Sequence, residues 1–326
     1  MYHFIINPSS SSGNGIVIWN KVQNKLDESG IAYDYHITSS RADAISYTRQ
    51  ISESSNGDTD NQQLILIVIG GDGTFNAIIN GIEDYSKVTI GYIPAGSSND
   101  LARNLNISSD PEIALSTILS PQEYTLMDIG ILEYELTSAN NNSSLSNKEQ
   151  SGKVNFSVSC GIGFDAAICL EANKSRLKEI LNRFHLGKFV YVMIALKQLA
   201  ALQKCGCKIT LDAKKEIDIN RFFFIATMIH KYEGGGFMFC PKADYQDKTL
   251  DLCTVSDIAK PKVIRILPTA YKGKHVGFDG INNHTAQRVS IKTELPCALH
   301  TDGEVVGLYD KISISLDPRQ IRIITH

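Results

Sequence analysis

Between residues 2 and 127 the apolar positions alternate between two periods. The runs HFIIN, IAYDYHIT, LILIVIG and VTIGYIP are continuous or alternating and predict strands. Between them, VIWNKVQNKLDES, with Ile18, Val22 and Leu26 four apart, and then ADAISYTRQIS and TFNAIINGI predict helices. A βαβαβαβ order implies a parallel sheet covered by helices, with ligands at the carboxyl ends of its strands. The loops expected there are NPSSSSGNG, ITSS, GGDGT and PAGSSND.

After Met127 the pattern changes to short strand candidates: DIGILEY, KVNFSVSC, CKITLD, RFFFIATMI, TLDLCTVS, RVSIKTE, KISISL and IRIIT. One helical stretch, about 170 to 203, interrupts them. The expected fold is therefore an α/β class, with an N-terminal parallel-sheet domain over 1–127 and an antiparallel β-sandwich over 128–326. The C-terminal end is allowed to pack back on the first domain. Residues 137 to 153 are Asn- and Ser-rich and are expected to form a hairpin tip. On 186 to 203, Phe189, Val192, Leu196 and Leu199 form an apolar stripe expected in the core, with a lipid-facing edge as the alternative.

Composition narrows the function. The chain has 326 residues, 43% of them hydrophobic, enough for a large core, and its formal charge of −3 argues against a broad nucleic-acid footprint. Seven cysteines without CxxC spacing imply neither a disulfide framework nor a zinc site, and so a reducing, cytoplasmic setting. The start, MYHFIINPSS, lacks the features of a signal peptide, and the apolar run FVYVMIAL is too short to cross a bilayer. Contact with lipid is expected to be peripheral.

In IVIGGDGTFNAIINGI, residues 67 to 82, a strand runs into a helix through Gly70, Gly71 and Gly73. Glycines let backbone N–H groups approach a ligand, and the helix start at Thr74 aims further N–H groups at the same point, as a phosphate requires. Asp72 would repel a bare polyphosphate, which suggests that it faces a metal. An ordinary strand-to-helix turn is the alternative.

Taken together, NP at 7 to 8 with Ser12-Gly13, GGDGTFN at 70 to 76, PAGSSNDLAR at 94 to 103, Asp128, GIGFDA at 161 to 166, GGGFMFCPKADYQD at 234 to 247 and TDGE at 301 to 304 resemble the diacylglycerol kinase catalytic-domain family, which includes sphingosine and ceramide kinases. The resemblance implies ATP in the first domain, a lipid bound with help from the second, and chemistry in the cleft. By the match, ATP would meet Asn7, Pro8, Ser12, Gly13, Thr38, Gly70, Gly71, Asp72, Gly73, Thr74, Asn76 and Ser97. Asp72 and Asp100 would support a catalytic Mg²⁺, Asp302 would take the hydroxyl proton, and Glu304 would lie across the cleft. Without the match, Asp302-Gly303 reads as a hairpin turn. A structural Mg²⁺ would take the Asp247 carboxylate and the carbonyls of Asp244 and Thr249. The NP loop is two residues longer than usual, and Lys248 stands where the family usually has glycine.

The expected function is an ATP- and Mg²⁺-dependent lipid kinase that phosphorylates diacylglycerol or a related lipid at the membrane surface. An NAD kinase, which shares GGDGT, and a non-catalytic nucleotide or lipid sensor are the alternatives.

Overall fold

Two strands that are apolar along their whole length place the first sheet. In a computed structural model, which describes residues 1–56, 63–137, 150–174, 194, 197–199, 201 and 205–326, β3 (Leu64–Gly70) and β4 (Val88–Pro94) are its centre. Leu66 and Val68 point to one face and Ile67 and Ile69 to the other, all fully buried, as a strand covered on both sides requires. β1 (Tyr2–Ile6) and β2 (Tyr33–Ile37) extend the sheet in parallel on one side. Helices α1 (Ser10–Glu28) and α5 (Pro111–Leu119) cover the face of Ile67, through Trp19, Val22, Leu115 and Ile118. Helix α3 (Asp72–Ile79) covers the other through Phe75, Ile78 and Ile79, and α2 (Arg41–Asn56) packs on α3. The short α4 (Asp100–Asn104) follows β4.

The sheet is completed from the far end of the chain. β15 (Ile321–Ile324) lies parallel to β4 and antiparallel to β5 (Tyr124–Met127), giving the order β2-β1-β3-β4-β15-β5. Ile321 and Ile323 are fully buried beside Ile90 and Met127.

Among the described residues the second sheet has nine antiparallel strands: β6 (Gly130–Glu135), β7 (Ser151–Phe156), β8 (Ser159–Gly163), β9 (Cys205–Leu211), β10 (Lys215–Met228), β11 (Leu250–Ser256), β12 (Ile281–Ala286), β13 (Arg288–Thr301) and β14 (Glu304–Leu316). Eight run in the order β12-β11-β10-β8-β13-β14-β6-β7, while β9 pairs with both β10 and β13 and so folds the sheet over its core of Ile162, Ile209, Ile225, Leu299 and Ile312. The other face of β10 is covered by Phe164 of α6 (Phe164–Lys174) and by Val263 and Ile266 of α7 (Lys260–Ala270). The fold is thus the expected parallel-sheet α/β unit followed by an antiparallel sandwich. The expected hairpin tip and the apolar stripe of 186 to 203 fall mostly outside the described residues.

Because Ile323 fills an interior position between two strands, Ile323→Ala should cost about 2–5 kcal/mol, seen as a lower denaturation midpoint at unchanged slope. A loss below about 0.5 kcal/mol would contradict that placement.

Candidate active site

The four loops converge because each follows the carboxyl end of a neighbouring parallel strand. Gly71 and Gly96 meet back to back: a Cβ on Gly96 would sit 2.6 Å from the Gly71 Cα, so the close approach of these two loops requires glycine. Asn7 ties the first loop to the third by donating Nδ2–H to Thr74 Oγ1 at 2.9 Å. Ser11 and Ser97 bring their hydroxyls to 3.4 Å across the mouth. The extra length of the NP loop is absorbed as a kink, with Ser11, Ser12 and Gly13 all at positive φ before the regular part of α1 begins. Thr38 is buried and its hydroxyl donates to Ile6 O at 3.0 Å, so it anchors the second loop to β1.

Helix α3 has Gly71 at its N-cap with no side-chain cap; Thr74 N already donates to Gly71 O at 2.9 Å, so the uncapped N–H groups are those of Asp72 and Gly73. Arg41, at the start of α2, donates to Gly73 O at 3.1 Å and to Asn76 Oδ1, placing a guanidinium beside the same turn. Nothing in the sequence pattern singles out Arg41; its position at the helix start after ITSS is the only cue.

Asp72 does not lie open to the mouth. Its oxygens accept from Asp100 N at 2.9 Å and Leu101 N at 3.3 Å, capping α4. Asp100 in turn accepts from Arg103 Nη1 at 2.8 Å and from Gly235 N at 2.6 Å. That second bond reaches the turn 234–236, where three glycines in succession adopt positive φ. Burial pushes Asp72 up to about 6, with Asp100 and Asp302 adding like charge, and burial also raises Asp100.

Asp302 is the meeting point of the two sheets. Oδ2 accepts from Asn76 Nδ2 at 2.7 Å, Ser157 N at 2.8 Å and Ser157 Oγ at 2.9 Å; Oδ1 accepts from Val158 N at 2.8 Å and Ser159 N at 2.9 Å. Five donors exceed the four lone-pair sites of a carboxylate, leaving none for a substrate hydroxyl. Asn76 and Asn80 also donate to Asn155 O at 3.2 and 2.9 Å, so α3 is fixed to β7 on both sides of this joint.

Glu304, two residues on, is different. One of its oxygens lies 2.9 Å from the point a Cβ on Gly73 would occupy, and its half-buried carboxylate has no hydrogen-bond partner among the described residues. The turn carrying both acids is held from behind by buried His300. Its Nδ1 lies 3.2 Å from Gly303 N, and its Nε2 faces Asp165 at 3.2 Å and Glu233 at 3.6 Å. His300 thus packs behind the turn and contacts it directly. Burial raises Glu233 to about 7.

The residues 244, 247 and 249 share no hydrogen bond with this mouth. Asp247 Oδ1 accepts from Thr249 N and Oγ1 at 2.9 and 2.7 Å, and Lys248 N donates to Asp128 Oδ2 at 2.9 Å. Lys248 has φ of 60°, the left-handed conformation that explains why glycine suits this position. Among the described residues, no group of three or more His, Cys, Asp or Glu side chains is arranged to hold a metal.

A family model described as diacylglycerol kinase catalytic domain matches residues 1–130, and one described as YegS C-terminal NAD kinase beta sandwich-like domain matches residues 157–325. The chain is 27% identical over 325 residues to YtlR of Bacillus subtilis (strain 168), whose name proposes a lipid kinase, covering 99% of each. It is 25% identical over 309 residues to a diacylglycerol kinase of the same organism, covering 93% of this chain and 89% of that one. A crystal structure of a diacylglycerol kinase from Bacillus anthracis str. Sterne superposes with a TM-score of 0.66 at 19% identity, covering 100% of this chain and 96% of that one, a likeness of fold.

The raised Asp72 makes stability depend on pH. The native state holds this proton up to about pH 6 and the unfolded chain releases it near 3.8, so the contribution is complete below 3.8 and is lost as pH rises through 6. Asp72→Asn should remove a fall of about 2–3 kcal/mol between those values. Denaturation midpoints across that range check this; a slope equal to the parent's would contradict it.

Proposed function

The chain belongs to the diacylglycerol kinase catalytic-domain family and is a lipid kinase, and on that premise we propose that it transfers the γ-phosphoryl group of MgATP to a hydroxyl of diacylglycerol or a related lipid. The observation that carries this reading is the pairing, within one mouth, of an uncapped helix start at Gly71 with an unpartnered carboxylate, Glu304, facing Gly73.

The phosphates would lie on the N–H groups of the 70–74 turn, with Arg41 beside it and Asn7 and Thr74 keeping the loops in register. Pro8, Ser12, Gly13 and Ser97 would contact the nucleotide from the first and fourth loops, and Thr38 would act through the anchoring of its loop. The donor set fits a catalytic Mg²⁺. Asp72 and Asp100 offer hard carboxylate oxygens; burial, and after it the charge of Asp100, raises Asp72, and added positive charge would offset both. Bound there, Mg²⁺ would neutralise charge on the transferring phosphoryl group. A structural Mg²⁺ at the turn 244–249 would use the Asp247 oxygen that Thr249 leaves free and the carbonyls of Asp244 and Thr249.

In the transfer, the lipid oxygen bonds to the γ-phosphorus as the bond to the bridging oxygen breaks and ADP leaves. The hydroxyl proton passes to Glu304, late, as a loose transition state allows. This departs from the expectation that Asp302 takes it: the lone pairs of Asp302 are spent on the joint, and its part is to hold Glu304 in place.

The experiment is transfer of label from ATP, with Mg²⁺, to a mixed-lipid micelle panel, run for two variants. Glu304→Gln should keep the fold and nucleotide affinity and lose on the order of 10²–10⁴ in turnover. Asp302→Asn should lower the melting temperature, because an amide NH₂ cannot accept from backbone N–H groups. An active Glu304→Gln enzyme would overturn the proton assignment, and absence of labelled lipid from the parent would overturn the kinase reading.

A further inference from the structure

We propose that α7 and the turn after it, residues 260 to 280, form the surface by which this protein docks on an anionic lipid bilayer; the inference rests on the lipid-kinase reading and adds the face that approaches the membrane.

The segment is amphipathic in an unusual sense, because both sides of its helix are apolar. Val263, Ile266 and Ala270 face inward and are buried against Phe224 and Val255. On the outer side, Ile264, Pro268 and Tyr271 recur at i, i+4 and i+7, one stripe of a helix, and all three are exposed. Val276 and Phe278, on the following turn, are exposed as well. Of the thirteen large apolar side chains exposed among the described residues, four lie between 264 and 278, and the others are scattered over the rest of the chain. A cluster of this kind marks a binding surface, whereas scattered ones do not.

Charge decides the partner. Within the same segment stand Lys260, Lys262, Arg265, Lys272 and Lys274 against one acid, Asp279, in a protein whose formal charge is −3. Lys262 reaches Asp279 only at 3.9 Å, and both are exposed. Arg265, Lys272 and Lys274 are exposed and flank the apolar stripe. Apolar side chains ringed by cations suit the headgroup layer of an anionic membrane, where the apolar groups enter the acyl boundary and the ammonium groups meet phosphates.

The patch is also continuous with the active site. Tyr271 stacks on Phe237 at 4.0 Å between ring centroids, and Met238 N donates to Ala270 O at 2.9 Å. Phe237 closes the glycine turn whose Gly235 N–H is bonded to Asp100. A bilayer held against α7 would therefore lie at the rim of the mouth, the position from which a lipid hydroxyl must enter.

The test is co-sedimentation of the full chain with phosphatidylcholine vesicles, with and without phosphatidylglycerol. The variants are Lys272→Glu with Lys274→Glu, Val276→Ser with Phe278→Ser, and, as a control on a distant strand, Lys208→Glu. The parent should bind the anionic vesicles with an affinity that falls as salt rises, and the control should match it. Each near-surface cation is worth roughly fivefold in binding, so the charge-reversal pair should lose at least about tenfold, and the apolar pair a similar amount. All variants should melt with the parent and turn over a short-chain, monomerically dissolved diacylglycerol at the parent's rate. Binding by either pair equal to the parent's, or a parent that binds neither vesicle, would overturn the docking surface. Failure of the kinase reading is separate: it would show as absence of product on the soluble lipid, whatever the vesicles do.

Discussion

Five hydrogen bonds to one carboxylate hold the two sides of the candidate site together. Asp302, at positive φ in the turn between β13 and β14, draws donors from α3 of the first domain and from the backbone between β7 and β8 of the second. Each bond to a charged acceptor is worth about 1.5–3 kcal/mol, and each donor left unpaired in a buried joint would cost a comparable amount. The joint therefore fixes the distance across the cleft far more firmly than the surface ion pairs elsewhere, such as Lys208 with Glu216, can.

Burial governs the local electrostatics. It raises Asp72 first of all, and the charges of Asp100 and, least, Asp302 add to it. The protein tolerates this by assigning each acid to backbone amides: Asp72 caps α4, Asp100 takes Gly235, and Asp302 takes residues 157 to 159. Glu304 alone of the group is left without a partner among the described residues, and that asymmetry is the ground on which different roles are proposed for two acids of one short motif.

Side-chain chemistry with a local signature was legible in the sequence. The fully apolar run LILIVIG announces a doubly covered parallel strand, and GGDGT announces a turn that backbones approach closely; the contact of Gly71 with Gly96 is the reason. TDGE was legible as a motif but not in its division of labour, since the donors that saturate Asp302 are mostly backbone amides about 145 residues away, which carry no side-chain signal. The same holds for IRII: its apolar pattern predicts a strand, but its seat between β4 and β5 depends on a pairing with no local mark. Arg41 and His300 were missed because an arginine at a helix start and a lone histidine in a strand are ordinary until their partners are known.

The Asn76–Asp302 bond couples the two domains, and a double-mutant cycle measures that coupling most directly. Asn76→Ala, Asp302→Ala and the double variant would be compared by chemical denaturation. A coupling energy of about 1.5 kcal/mol or more is predicted for this charge-assisted bond across the cleft. Single-variant losses that add to within about 0.5 kcal/mol would contradict the account.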